Sequence, residues 1–91
     1  MELDIQQRRA LKAQAHHLKP VILIGQKGLH EALREELENA LNHHELVKIK
    51  IAADRDSANV IVERLLDMTG ATLIQRIGGT ATLYRKRPED L

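Results

Sequence analysis

Residues 25–28 read Gly-Gln-Lys-Gly, directly after the apolar run Val-Ile-Leu-Ile and directly before a leucine-spaced segment. Gly25 and Gly28 remove the side chains that would hold a sugar-phosphate backbone away, and Lys27 adds a mobile cation beside the backbone amides. A strand that delivers the chain to a helix N-terminus would also turn unpaired amides and the positive dipole end toward the ligand, with Gln26 among them. The competing reading is plain: two glycines can serve only the tight backbone geometry of a short connector. The loop alone does not separate the two.

The charges around it are segregated. The chain holds 14 basic and 13 acidic residues, yet Ile5 to Gly28 carries Arg8, Arg9, Lys12, Lys19 and Lys27 with no acid. Ala71 to Arg87 is likewise free of acids and holds Arg76, Arg85, Lys86 and Arg87, whereas Leu29 to Glu45 sets five glutamates against Arg34. On a helix at 100° per residue, Arg8, Lys12, His16 and Lys19 fall within about 80° and form a ridge beside the apolar stripe. A bipolar surface with one side toward a polyanion follows, or else a pair of ordinary solvated faces.

Other chemistries find little support. A phosphate-binding nucleotide loop needs G-x-x-x-x-G-K-[ST], a dinucleotide fold needs G-x-G-x-x-G, and neither occurs. The histidines come as His16-His17 and His43-His44 with His30 alone, and helical neighbours diverge by about 100°, so neither pair readily chelates one metal. Ser57, the only serine, lies in Asp-Arg-Asp-Ser-Ala-Asn, a sequence suited to capping a helix. No enzyme, no cofactor and no small-molecule substrate are expected. The absence of cysteine excludes disulfides and thiolate chemistry. A single tyrosine as the sole aromatic residue excludes base stacking on rings as the main way to hold nucleic acid. Without a long apolar run, the chain is expected to be soluble, cytoplasmic and independent of membranes.

Ninety-one residues, 43% of them hydrophobic, make one compact domain. Leu11, Ala15 and Leu18 predict a helix from Asp4 to Lys19, which Pro20 ends. Val-Ile-Leu-Ile is a buried strand; Leu29, Leu33, Leu37 and Leu41 give a second helix ending near His43; Glu-Leu-Val-Lys-Ile-Lys-Ile is a strand with one wetter face. Asp54 or Asp56 caps a third helix that Gly70 closes, and two strands flank a hairpin turn at Gly78-Gly79. The fold class is α/β: one small domain in the order α-β-α-β-α-β-β, with a four-stranded mixed sheet packed with helices.

Taken together, "AHHLKPVILIGQKGL", "HHELVKIKI", "TGA" and "IGGTATLYR" resemble the YhbY family of bacterial RNA-binding proteins, the free-standing form of the CRM domain, over roughly Ile5 to Arg87. The resemblance implies a fold similar to the C-terminal domain of translation initiation factor three. It also implies RNA contact through the GxxG loop, which falls here on Gly25, Gln26, Lys27 and Gly28. It further implies association with ribosomal RNA in the precursor of the large subunit and a role in its assembly. Residues 1–87 would then be the RNA-binding domain; separately, 88–91 are expected to form a short frayed end and the chain to act as a monomer. Lys19 joins the loop as the central contact, with Arg8, Lys12, His16, Arg85 and Lys86 supplying the surrounding field. Gly79 departs from the family, which usually has a basic or polar residue there. A different class of function stays open: an adaptor that docks a basic ribosomal protein through Glu31, Glu35 and Glu38 of the second helix.

Overall fold

The computed structural model describes residues 3–25 and 28–89. Its elements follow the expected order: α1 (Ile5–Ala15), β1 (Ile22–Ile24), α2 (Glu31–His44), β2 (Leu46–Ile51), α3 (Arg55–Thr69), β3 (Thr72–Ile77) and β4 (Thr80–Tyr84). The strands form one sheet in the order β1-β2-β4-β3, parallel between β1 and β2 and antiparallel elsewhere.

Local signals set the helix ends. Asp4 and Gln7 form a reciprocal capping box on α1. Asp54 takes the N-cap of α3, accepting from both the amide and the hydroxyl of Ser57. Its carboxyl is held below its ordinary value, first by the Ser57 amide and then by the Ser57 hydroxyl. Gly70 ends α3 at φ +71, in the left-handed conformation that a Cβ would disfavour. Helix α1 is shorter than expected: it stops at Ala15, and residues 16–17 form a turn before the chain straightens toward Pro20.

Alternation along the strands sorts residues to two unequal faces. On one face Ile22, Ile24, Val47, Ile49, Ile51, Ala81 and Leu83 meet Leu33, Leu37 and Leu41 of α2 and Ala58, Val62 and Leu65 of α3 in the main core. On the other face α1 packs against β3 and β2, where Ala15, Leu46, Ile74 and Thr82 are buried outside that core. Ile74 is the extra residue of a β-bulge: Leu73 pairs with Leu83 and Gln75 with Thr82. Arg8 donates from Nη1 to the Leu73 carbonyl at this irregularity, at 3.2 Å. The bulge also reverses the side-chain parity of the rest of β3. Arg76 therefore opposes Ala81 on the core side and Ile77 opposes Thr80 on the other.

The β3–β4 connection is the expected two-residue turn, with Gly78 at φ +55 and Gly79 outside the left-handed region, the φ pattern of a type II′ turn. Gly79 also lies close to β2: its carbonyl accepts from the Ile51 amide at 2.7 Å, and a Cβ there would stand 3.3 Å from the Ile51 carbonyl oxygen. A side chain at this position would require that edge to shift by a few tenths of an ångström.

The end of the domain departs from expectation. Arg85 does not lie in solvent beside the last strand: its guanidinium pairs with Glu38 at 2.8 Å and donates to the Thr69 carbonyl and to Asn42, joining the ends of α2 and α3. Arg87 closes over the C-terminus of α2, donating to the carbonyls of Asn42 at 2.8 Å and His43 at 2.6 Å. These are the carbonyls a helix leaves unpaired, and a cation is the favoured partner for them.

The pairing of Arg85 predicts that Arg85→Glu, which sets two carboxylates against each other, costs about 2 kcal/mol. For a domain of this size that lowers Tm by roughly 10 °C. The double exchange Arg85→Glu/Glu38→Arg should recover part of the loss. Thermal unfolding of the three proteins checks it, and an unchanged Tm in the single variant would show the contact to be incidental.

Candidate nucleic-acid interface

The loop after β1 lies at the edge of the sheet where β2 also ends and the hairpin turns. The Ala52 amide donates to the Ile24 carbonyl at 2.9 Å, and Ile51 meets Gly79, so residues 24–25, 51–53 and 78–79 share one rim. Gln26 and Lys27, both expected at the centre of the site, lie outside the described residues. The loop closes on itself, the Gly28 amide donating to the Gly25 carbonyl at 3.0 Å. Helix α2 begins only at Glu31, with His30 as its N-cap accepting from the Leu33 amide through Nδ1. The expected anion site at the helix start is therefore modified. The Gly28 amide is committed within the loop, and Glu31 adds a negative charge to the first turn.

The two glycines differ in their reasons for being glycine. Gly28 has φ +69, so the backbone itself favours it. Gly25 has no left-handed φ, and a Cβ built on it would meet nothing within 4 Å among the described residues. Among the described residues, nothing crowds the α-carbon of Gly25. A partner approaching the backbone from outside would gain from its bareness.

Beside this loop the sheet is open. The register Leu23–Lys50–Thr80–Ile77 runs across all four strands on the face opposite the main core. Helix α1 does not cover that row: Leu23 is 64% exposed, Ile77 55% exposed, and Lys50 faces solvent. The next row carries Lys48 and Gln75, both half-buried, and beyond it lies the exposed side of α1 with Lys12, His16 and, past its end, Lys19. Two rows of sheet thus bridge the two places where the sequence concentrates candidate residues.

Of the expected site residues, Lys12, His16 and Lys19 are each exposed, but Lys19 lies beyond the end of α1 and so does not continue the helical ridge expected through Arg8, Lys12 and His16, while Gly25 and Gly28 flank the loop after β1. Arg8 is half-buried with one donor on Leu73. Lys86 is exposed near the chain's end. Arg85 is withdrawn into the α2–α3 junction. Lys48 and Lys50, not among the residues expected at the site, lie on the open rows of the sheet, in the strand whose imperfect alternation "LVKIKI" had marked it as having a wetter face. Among the described residues no three His, Asp or Glu side chains cluster to hold a metal. No described helix is long and apolar enough to cross a membrane.

A scan against family models matches residues 3–85 to the CRS1 / YhbY (CRM) domain. The chain belongs to the CRS1/YhbY (CRM) domain family. A Haemophilus influenzae protein named "RNA-binding protein" is 46% identical to this CRM domain over 88 residues, 96% of this chain and 89% of that protein. The Pseudomonas aeruginosa "Probable RNA-binding protein PA4753" is 42% identical over 90 residues, 98% of this chain and 86% of that one. The solution structure of the Staphylococcus aureus protein SAV1595 shares the fold of this CRM domain with a TM-score of 0.80 at 28% identity, covering 99% of this chain and 95% of that chain.

The contrast between the loop glycines is measurable in this CRM domain. Gly28→Ala should destabilise it by roughly 1 kcal/mol through its left-handed backbone, while Gly25→Ala should stay within about 0.5 kcal/mol of the parent, as surface substitutions do. Urea unfolding of both variants checks this. Equal losses would mean that both glycines serve the turn alone.

Proposed function

We propose that this CRM domain is a non-catalytic RNA-binding module whose contact surface runs from the exposed side of α1, across the open rows of the sheet, to the loop at Gly25–Gly28. The observation that carries the reading is the row Leu23–Lys50–Thr80–Ile77, an open strip of sheet with a lysine near its centre that ends beside a loop whose first glycine is uncrowded among the described residues. The names of its relatives and the basic residues along the strip support it. Cations in this arrangement neutralise phosphates along a backbone path. With one tyrosine in the chain, affinity comes from charge and shape rather than from ring stacking. The contact residues are Lys12, His16, Lys19, Lys48, Lys50, Gly25 and Gly28, with Gln26 and Lys27 completing the loop and Arg8 and Lys86 at the periphery.

The partner is ribosomal RNA in the precursor of the large subunit and the role is to assist its assembly, which rests on the family resemblance; the domain acts as a monomer in the cytoplasm. The acidic-helix adaptor has less to stand on. Glu38 is paired with Arg85 inside the fold, and Glu31 lies 3.8 Å from Arg34.

Two variants test the surface without disturbing the core. Gly25→Asp places a carboxylate in open space, so it should leave Tm unchanged and weaken RNA binding by about tenfold or more, equivalent to about 1.4 kcal/mol. Lys50→Ala should reduce the magnitude of the slope of log affinity against log salt by roughly 0.7 to 0.9, the value of one phosphate contact. Wild-type affinity and slope in both folded variants would place the RNA elsewhere. Crosslinking in cells, mapped onto ribosomal RNA, tests the partner; crosslinks confined to messenger or transfer RNA would remove the ribosomal assignment.

A further inference from the structure

On the core side of the same rim, a cleft of about 640 Å³ opens between the start of α3 and the β3–β4 turn, lined by Ala53, Arg55, Ala58, Asn59, Arg76 and Gly78-Gly79. Its volume lies within the range of about 300 to 1,000 Å³ usual for ligand pockets. Its walls are small or bare of side chains apart from three: two arginines and an asparagine. Among the described residues no acid lines it. The closest acids in sequence are otherwise placed, since Asp54 is committed to Ser57 as the cap of α3 and Asp56 is exposed on the first turn.

Arg76 reaches this cleft because of the bulge at Ile74, which turns it to the core side of β3. There its Nη1 donates to Asn59 Oδ1 at 3.0 Å, while its Nε is buried and meets no acceptor among the described residues. A buried donor without a partner is costly, and a guanidinium has five donors in a fixed fork. Arg55 makes no ion pair among the described residues. The cleft is therefore lined by two arginines, one with a single hydrogen bond and the other with no ion pair among the described residues, beside a turn whose α-carbons carry no bulk. The ligand chemistry that satisfies planar forks of this kind is a tetrahedral or planar oxyanion, and guanidinium binds phosphate in bidentate fashion.

We propose that the Arg55–Arg76 cleft is a second phosphate-binding subsite, taking one phosphodiester of an RNA strand that also passes the Gly25–Gly28 loop. The proposal rests on the RNA-binding reading above for the source of that phosphate, but not for the cleft's affinity for phosphate itself. The two places are joined through the ends of adjacent strands: β1 ends at the loop, β2 lies beside it, and the turn leading into β4 forms the cleft wall. Two strand spacings separate them, about 10 Å, which a short stretch of extended nucleic-acid backbone spans. An RNA held at both would cross the rim of the sheet rather than end at the loop.

The test uses the full chain labelled for amide NMR, titrated with a single-stranded RNA octamer and separately with pyrophosphate. The expected result is that RNA shifts the amides of Gly78, Gly79 and Asn59 as well as those of Gly25 and Gly28. Arg55→Gln, which removes a side chain with no hydrogen bond or ion pair among the described residues, should abolish the shifts around the cleft while sparing those at the loop, and should reduce the magnitude of the salt slope by roughly 0.7 to 0.9. Arg76→Gln should do the same, and because it loses its bond to Asn59 its melting temperature is measured alongside. RNA shifts at the loop with none at the cleft would overturn the proposal and leave the RNA-binding reading standing. Shifts at the cleft with pyrophosphate but not with RNA would overturn its place on an RNA path and make it a site for free oligophosphate. No RNA-induced shift anywhere would overturn both readings.

Discussion

Three helices must cover the two faces of one sheet, and they divide unequally. Helices α2 and α3 both close the main core, which leaves only the eleven residues of α1 for the opposite face. A helix is about 10 Å thick with its side chains, and same-face rows along a strand are about 7 Å apart. One helix laid from β3 toward β2 can therefore bury Leu46, Ile74 and Thr82 but cannot also reach the row of Leu23, Lys50, Thr80 and Ile77. That shortage of cover leaves a strip of the sheet exposed.

The rim of the sheet arises from the same arrangement. Because β1 and β2 are parallel and β4 runs against β2, the loops after both parallel strands and the β3–β4 turn come to one edge. Ligands of open sheets with parallel strands gather at the carboxyl ends of those strands, where loops converge and helices start. Here the helix starts are largely committed, His30 capping α2 and Asp54 capping α3, so the anion-attracting groups left at the rim are side chains and loop backbone. Charge at the opposite end of the domain is used internally. Arg85 and Arg87 bind the ends of α2 and α3, and the basic C-terminal segment is thereby a fastening more than a field.

Family membership and geometry support each other without being the same statement. The match over residues 3–85 and relatives of 42–46% identity establish the kind of domain. They do not say which side chains face outward. That distinction matters most for the arginines: Arg55, Arg76, Arg85 and Arg87 are equivalent in charge, yet two close the fold and two line an open cleft.

Much of this protein was readable from the chain. Element order, a helix cap at Asp54 or Asp56, the close of that helix at Gly70 and the Gly78-Gly79 hairpin all rest on local rules, where a residue's neighbours within a few positions decide its conformation. The loop at Gly25–Gly28 was legible for the same reason, though not the difference between its two glycines, since backbone angle and free space appear only in three dimensions. Contacts between distant residues were not legible. Arg85 is 16 residues from Thr69 and 43 from Asn42, so nothing in its local sequence shows that its charge is taken. The bulge at Ile74 is equally hidden: an apolar-polar pattern alternates by two, and one extra residue reverses the facing of Arg76 and Ile77 without altering composition. Sequence alone thus determined which segments become helix and strand and where basic residues concentrate, because those depend on local periodicity and counts. Only the tertiary structure decided which cations remain free to meet a partner, because that depends on what packs against each of them from far along the chain.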